Sequence, residues 1–261
     1  MLTALIQLNS GKNKDKNIDN ALSKAEIAIN KGAKFILLPE MFNYRGNLNA
    51  VELYNEVAEE LPGQSLIPFM ELAKKAEVCI LAGSVYEKSL DSEKVYNTSV
   101  IIDDSGSLIC KYRKINLFKA IINGKRVDES DIYEAGNKTI TCSILNFKVG
   151  MSICYDLRFP ELFREYYSKR VNLIVVPSSF TTKTGKLHWE VLLRARAIEN
   201  YSFVLAPNQC GLDGNGIDTY GHSIAIDPQG NVLGVLDNSD EGVLLTRISI
   251  CDVPKVFNPI V

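Results

Sequence analysis

Residues 150–162 read GMSICYDLRFPEL. The apolar run SILNFKVGMSI (143–153) predicts a buried strand. FPELFREYYSKR (159–170) predicts a helix that tolerates Pro160 in its first turn, where the missing N–H is an orphan anyway. Cys154 falls on the sharp junction between the two. A cysteine there has two readings. One is an inert core thiol. The other is a nucleophile held at a sheet edge, where helix N-terminal dipoles and cations favour the thiolate. The whole chain has 2 histidines, so the identity of a base is the second question.

Working outward, strand and helix patterns alternate. LTALIQL (2–8) predicts a strand, and NIDNALSKAEIAINKG (17–32) a helix with Ile18, Leu22, Ala25 and Ile29 on one face and Gly32 past its end. KFILLPE (34–40) has the continuous apolar character of a buried strand. SLIPFMELAKKAE (65–77) predicts a helix and VCILAGSVYEK (78–88) one strand. VYNTSVIID (95–103) and SLICKYRKINLF (107–118) are β-like runs on either side of a turn at Ser105-Gly106. NLIVVPSSF (172–180), SFVLAPNQ (202–209), HSIAID (222–227) and GVLLTRIS (242–249) predict strands. HWEVLLRARAIEN (188–200) predicts a helix with Val191, Ala195 and Ile198 on one side. No linker or repeat interrupts the series. The expectation is one α/β domain over 1–261, with mixed sheets and helices outside them.

Lysine and arginine number 29 against 31 acidic residues, a formal charge of −2, with no long basic block. That excludes an electrostatic footprint for nucleic acid or an anionic membrane and points to small-molecule partners. The opening MLTALIQLNSGKNK lacks a positive n-region and a membrane-length apolar run. Six cysteines without short C-x-x-C spacing fit reduced thiols and a cytoplasmic location. The Asn97-Thr98-Ser99 sequon reads as ordinary strand residues.

Several motifs fail on their own chemistry. GLDGNGID (211–218) has Ile217 where a calcium loop needs its third ligand, and it lacks the third glycine of a dinucleotide fingerprint. It reads as a surface turn. TKTGKLHW has Phe180 at the first glycine position of a phosphate loop and Leu187 at the hydroxyl position. There is no G-x-S-x-G elbow, and neither histidine lies near a cysteine pair, so no metal site is expected.

Two further reactive groups share the strand-end placement of Cys154. Glu40 ends KFILLPE, where an ionised carboxylate is costly unless paired or placed in a cleft. Lys114 is the inward candidate among Lys111, Arg113 and Lys114. LLPEMF, KYRKINLF and ICYDLRFPEL, in this order and spacing, resemble the three signature segments of the nitrilase superfamily, the carbon–nitrogen hydrolases. The resemblance runs the length of the chain and implies a four-layer α-β-β-α sandwich. It also implies a Glu40–Lys114–Cys154 triad, with Glu129 in RVDESDIYEAG (126–136) as either a second catalytic glutamate or a loop acid. Asn116 stands where members commonly carry histidine, which turns the search for a base to Glu40.

The resemblance further implies cysteine-dependent amide hydrolysis through a thioester, without a cofactor, by a homodimer or larger homo-oligomer. PSSFTTKTGKLHWEVLLRARAIEN (177–200), NQCG (208–211) and TYGHSIAIDPQG (219–230) are most similar to the branch that hydrolyses deaminated glutathione, with the ω-amidases as neighbours. Both take small carboxylate-bearing amides. Transfer of the acyl group to another acceptor, or a silent binding protein on the same scaffold, remain the alternatives. Tyr155 offers a backbone N–H to the oxyanion. Phe180, Thr181, Tyr44 and Arg45 are placed to line a pocket. Trp189 and His222 read as structural, Arg194 and Arg196 as ion-paired with Glu190 and Glu199, and Asp156, Arg158 and Glu161 as braces of the Cys154 turn.

Overall fold

A computed structural model describes residues 1–122, 125–237 and 240–254. In chain order the first half supplies β1 (Leu2–Gln7), α1 (Lys14–Asn30), β2 (Phe35–Leu37), α2 (Ala50–Glu56), α3 (Ile67–Ala76), β3 (Cys79–Leu81), β4 (Val85–Lys88), β5 (Val95–Ile102) and β6 (Leu108–Arg113). A hairpin of β7 (Lys119–Ile122) and β8 (Lys125–Asp128) follows, then β9 (Tyr133–Glu134), β10 (Thr141–Ile144), β11 (Phe147–Met151), α4 (Pro160–Ser168), β12 (Leu173–Val175) and α5 (Thr182–Asn200). The chain continues through β13 (Phe203–Ala206), β14 (Cys210–Leu212), β15 (Asp218–Tyr220), β16 (Ile224–Ile226), β17 (Val232–Val235) and β18 (Gly242–Arg247).

Two mixed sheets carry the structure. The first runs β18-β1-β2-β3-β5-β4, with β6 and β9 also on β5; the second runs β10-β11-β12-β13-β16-β17. At each centre lie three parallel strands, β1-β2-β3 and β11-β12-β13. The period-2 alternation of strand side chains explains the layering. In β1, Ala4 and Ile6 face α1 and α3, while Leu5 faces the other sheet. Leu5, Phe35, Leu37, Leu81 and Tyr112 of the first sheet meet Val149, Met151, Leu173, Val175 and Leu205 of the second. The outer face of the second sheet buries Ile174, Val204 and Ile226 against α4 and α5. This is the four-layer α-β-β-α sandwich, and burial on both faces is why its central strands read as continuous apolar runs.

Four differences from the sequence reading have structural explanations. The 78–88 run divides into β3 and β4 at Gly83, which sits at φ +32° with the Pro39 carbonyl where a Cβ would be (1.9 Å). Only glycine lets that bend pass so close to the Glu40 segment. The 143–153 run is the turn and second strand of the β10–β11 hairpin, reversed at Leu145 with φ +51°. Helix α5 begins at Thr182, capped by Thr181, six residues earlier than its apolar pattern suggested. Gly185 lies inside this helix, where a Cβ would overlap the Tyr220 ring. The buried face of α5 is Trp189, Leu193, Arg196, Ala197 and Asn200, while Val191 and Ile198 are 69% and 49% exposed. Arg196 turns inward because its Nε and Nη2 donate to the Leu157 carbonyl at 3.1 and 2.8 Å. Helix α2 had no apolar pattern to announce it, although Asn49 and Glu52 form a capping box.

Candidate active site

The parallel strands end at one rim of the sandwich, where open α/β sheets place their ligands. Cys154 follows β11 in a left-handed conformation, φ +47°, which costs a non-glycine residue about 1–3 kcal/mol. The turn is held from several sides. Cys154 N donates to the Pro177 carbonyl at 3.0 Å. Asp156 Oδ2 accepts from Ile153 N (2.9 Å) and Tyr112 OH (2.7 Å). Its Oδ1 accepts from both nitrogens of Asn116, at 2.8 and 2.9 Å. Asn116 thus supplies donors to the turn from the position where histidine was expected. Glu161 plays no such part and is exposed on the first turn of α4.

Glu40, Lys114, Glu129 and Cys154 converge on a cavity of about 160 Å³. Lys114 Nζ lies 3.1 Å from Glu40 Oε1 and 3.0 Å from Glu129 Oε1. Lys114 and Glu40 are almost fully buried, at 1% and 3% exposure. Glu129 Oε2 accepts from Phe118 N at 2.7 Å, so its carboxylate is fixed rather than free in a loop. Glu40, Cys154 and Ser179 line the same cavity, and the Glu40 carboxylate and the Ser179 N–H act electrostatically on the sulfur.

The electrostatics differ from the expected thiolate. Burial pushes the Cys154 thiol well up, the Glu40 charge adds to this, and Lys114 opposes it without prevailing. Burial also penalises the Glu40 carboxylate, but Lys114, Arg45 and the Cys154 hydrogen bond outweigh it and hold Glu40 below the usual carboxylate range. Burial likewise works against the Lys114 ammonium, and Glu129 with Glu40 more than restores it. These shifts favour a carboxylate at Glu40, an ammonium at Lys114 and a neutral thiol at Cys154.

Tyr155, Phe180 and Thr181 line the cavity. Tyr44 does not. Its ring is buried among Met41, Leu53, Val57, Tyr86 and Val95, edge-on to Tyr86 at 6.2 Å, because the apolar cluster under α2 captures it. Its neighbour Arg45 takes the lining position, held by Asp213 Oδ2 through Nε (3.0 Å) and Nη2 (2.6 Å). The 211–218 stretch is indeed a hairpin turn, between β14 and β15, and it also delivers Asp213 and the lining Ile217. Arg158 and Thr184 complete a wall that sequence reading missed, Arg158 having been taken as a brace. Arg158 Nη2 lies 3.2 Å from His188 Nδ1, and among the described residues no carboxylate pairs with it. The missed contacts join residues far apart in the chain, so no local pattern could reveal them.

Trp189 packs against Phe180 and donates to the His222 carbonyl, whose ring stacks on Tyr220, so both are structural. Arg194 and Arg196 pair with Glu190 and Glu199 along α5. Among the described residues no group of three His, Cys, Asp or Glu side chains is placed to hold a metal, and no helix is long and apolar enough to cross a membrane.

Comparison with known proteins joins this geometry to a family. A deaminated glutathione amidase of Dictyostelium discoideum is 37% identical over 266 residues, covering 97% of this chain and 91% of that protein. The omega-amidase NIT2 of Homo sapiens is 35% identical over 254 residues, covering 97% and 90%. Among solved structures, Saccharomyces cerevisiae Nit3, a member of branch 10 of the nitrilase superfamily, superposes with TM-score 0.81 at 30% identity over 94% of this chain and 89% of that one. The C. elegans NitFhit protein gives TM-score 0.84 at 34% identity, covering 94% of this chain and 60% of that one. The carbon–nitrogen hydrolase model matches residues 2–255. With that match spanning every element that builds the rim, the chain belongs to the carbon–nitrogen hydrolases of the nitrilase superfamily, enzymes that cleave non-peptide C–N bonds.

Proposed function

We propose that the chain is a cysteine amidase, one catalytic domain over 1–261, that hydrolyses a small carboxylate-bearing amide. The observation that carries the substrate class is Arg158. It is a guanidinium on the wall of the cavity that holds Cys154, with no carboxylate of the described chain to neutralise it. A substrate carboxylate supplies the missing partner, and a planar guanidinium binds it bidentately.

Attack by Cys154 sulfur on the amide carbon proceeds as the thiol proton passes to Glu40, forming a covalent intermediate that divides one hard step into two. Lys114 ammonium and the Tyr155 N–H face the developing oxyanion in a water-poor cavity. Glu40 then protonates the amide nitrogen, which departs as ammonia. The resulting thioester is hydrolysed by a water that Glu40 deprotonates, the proton returning to the Cys154 sulfur as the C–S bond breaks. Positioned proton transfer of this kind contributes roughly 10²–10⁴-fold. Glu129 keeps Lys114 charged and aimed. These steps use groups of the chain and one water and need no cofactor.

Deaminated glutathione is the first candidate substrate, in line with the Dictyostelium relative. The cavity of about 160 Å³ favours a second reading, a compact ω-amide such as α-ketoglutaramate. Sites for drug-sized ligands run to roughly 300–1,000 Å³. A cytoplasmic location and a homo-oligomeric assembly belong to the same proposal; six cysteines without short C-x-x-C spacing support the first, and the family resemblance implies the second. The deciding experiment is ammonia release from deaminated glutathione and from α-ketoglutaramate side by side, with Cys154→Ala as blank. The faster substrate names the branch. Full ammonia release by Cys154→Ala removes the mechanism.

A further inference from the structure

Asn97 is fully buried on β5, behind the cavity wall rather than on it. Its Nδ2 donates to Glu40 Oε1 at 2.8 Å, and its backbone carbonyl accepts from Lys114 N at 2.9 Å. Of the two Glu40 oxygens, Oε1 is the one that accepts from Lys114 Nζ, at 3.1 Å. One carboxylate oxygen therefore carries two donors. Asn97 Oδ1, by contrast, is buried with no hydrogen-bond partner among the described residues. Such an orphan costs about 1–3 kcal/mol, and an apolar side chain of the same shape would avoid the cost. Turning the amide over does not help, because it would set Oδ1 against the Glu40 carboxylate. Packing thus gives no reason for an amide at this position, whereas the Nδ2 contact does.

We propose that Asn97 is a positioning residue for proton transfer: with Lys114 it ties down Oε1 of Glu40, leaving Oε2 to exchange the proton with Cys154. An oxygen already accepting from an amide and an ammonium is the weaker base, so the proton moves to the other one. As the sulfur–carbon bond forms, the S–H bond breaks and an O–H bond forms at Oε2. As the C–N bond breaks, that proton passes to nitrogen and the carboxylate is restored. The inference rests on Glu40 being the base.

The test is Asn97→Leu, read by kcat, KM, the pH profile of kcat/KM and thermal melting. The expected result is a loss in kcat of roughly 10- to 100-fold from misplacement of the base, with KM within about twofold. Losing a donor to the charged form raises the pKa of Glu40, so the acid limb of kcat/KM moves to higher pH. The variant melts at or above the parent, since the orphan oxygen is gone. Asn97→Asp keeps the volume and sets a like charge beside Glu40, which moves the limb further up. An acid limb that stays in place in both variants, or a kcat that does not fall, overturns the proposal. Glu40→Gln measured alongside separates the two levels: full activity there removes the underlying mechanism and this inference together, whereas an inactive Glu40→Gln with an unmoved Asn97→Leu profile removes only this inference.

Discussion

Two ion clusters grow from the same few residues of β6 and its end, KYRK, and they differ in kind. Lys111 and Arg113 alternate onto one face of the strand and meet Glu87, whose oxygens accept from Lys111 (2.8 Å), Arg113 (2.7 and 2.9 Å) and Thr98 (2.7 Å). The two cations stay partly in solvent, with side chains 41% and 33% exposed. Lys114, one residue on, enters the interior and meets two carboxylates beside a thiol. The first cluster has more donors than charges to neutralise, and it ties strands together. The second has an excess of negative charge packed beside the Cys154 thiol, whose pKa burial raises first and the Glu40 charge raises further. An excess of cations open to solvent marks the structural cluster; an excess of negative charge out of solvent marks the buried one.

The comparison breaks most sharply at Lys114. Lys114→Met strands Glu40 and Glu129 without their cation, and removal of one partner from a buried ion pair costs about 3–5 kcal/mol. The variant should lose measurable ammonia release, and urea unfolding should report the drop. A folded, active Lys114→Met would end the distinction between the clusters.

Arg158→Gln comes next. Charged hydrogen bonds are worth about 1.5–3 kcal/mol, so KM for a carboxylate-bearing amide should rise roughly 10- to 100-fold. An uncharged amide of the same chain length should be turned over as before. Equal losses on both substrates would remove the carboxylate contact from the argument.

Glu87→Gln sharpens the structural side. Burial raises the Glu87 carboxyl, but its hydrogen bonds from Arg113, Lys111 and Thr98 bring it down to about 2, below its ordinary 4.5. A depressed folded-state pKa contributes stability that is present above pH 4.5 and lost as pH falls toward 2. The variant should be about 1–3 kcal/mol less stable at pH 7, show a flatter decline of stability across that acid window, and keep its amidase rate. Denaturant titrations at pH 7 and pH 3 check the sign.

The smallest effect belongs to Tyr44→Phe. The ring sits in the α2 cluster and not on the cavity, so stability should change by less than about 0.5 kcal/mol and kcat/KM should hold. A large rise in KM would return Tyr44 to the substrate wall.

Legibility divided along the same line as these clusters. Glu40, Lys114 and Cys154 could be singled out in one dimension at strand ends, and the resemblance of LLPEMF, KYRKINLF and ICYDLRFPEL to the family's signature segments put them together. The alternation of α1 between apolar and polar faces was readable in one dimension as well, with Ile18 and Ala25 buried as expected. Helix α5 was not. Its Arg196 and Asn200 are buried by partners elsewhere, and two of its apolar residues face outward.

The amino-acid sequence by itself determined mixed sheets with helices outside them, since apolar periodicity is a property of neighbouring residues. The four-layer sandwich and the grouping of Glu40, Lys114 and Cys154 followed from the resemblance of three segments to a family. Only the tertiary structure decided the protonation and the walls of the site. It set Asn97 against Glu40 across 57 positions, Lys114 against Glu40 across 74, and Asp213 against Arg45 across 168. Such contacts form wherever two sheets and their loops bring distant polar groups out of water, where each must find a partner. No local pattern along the chain records which partner that will be.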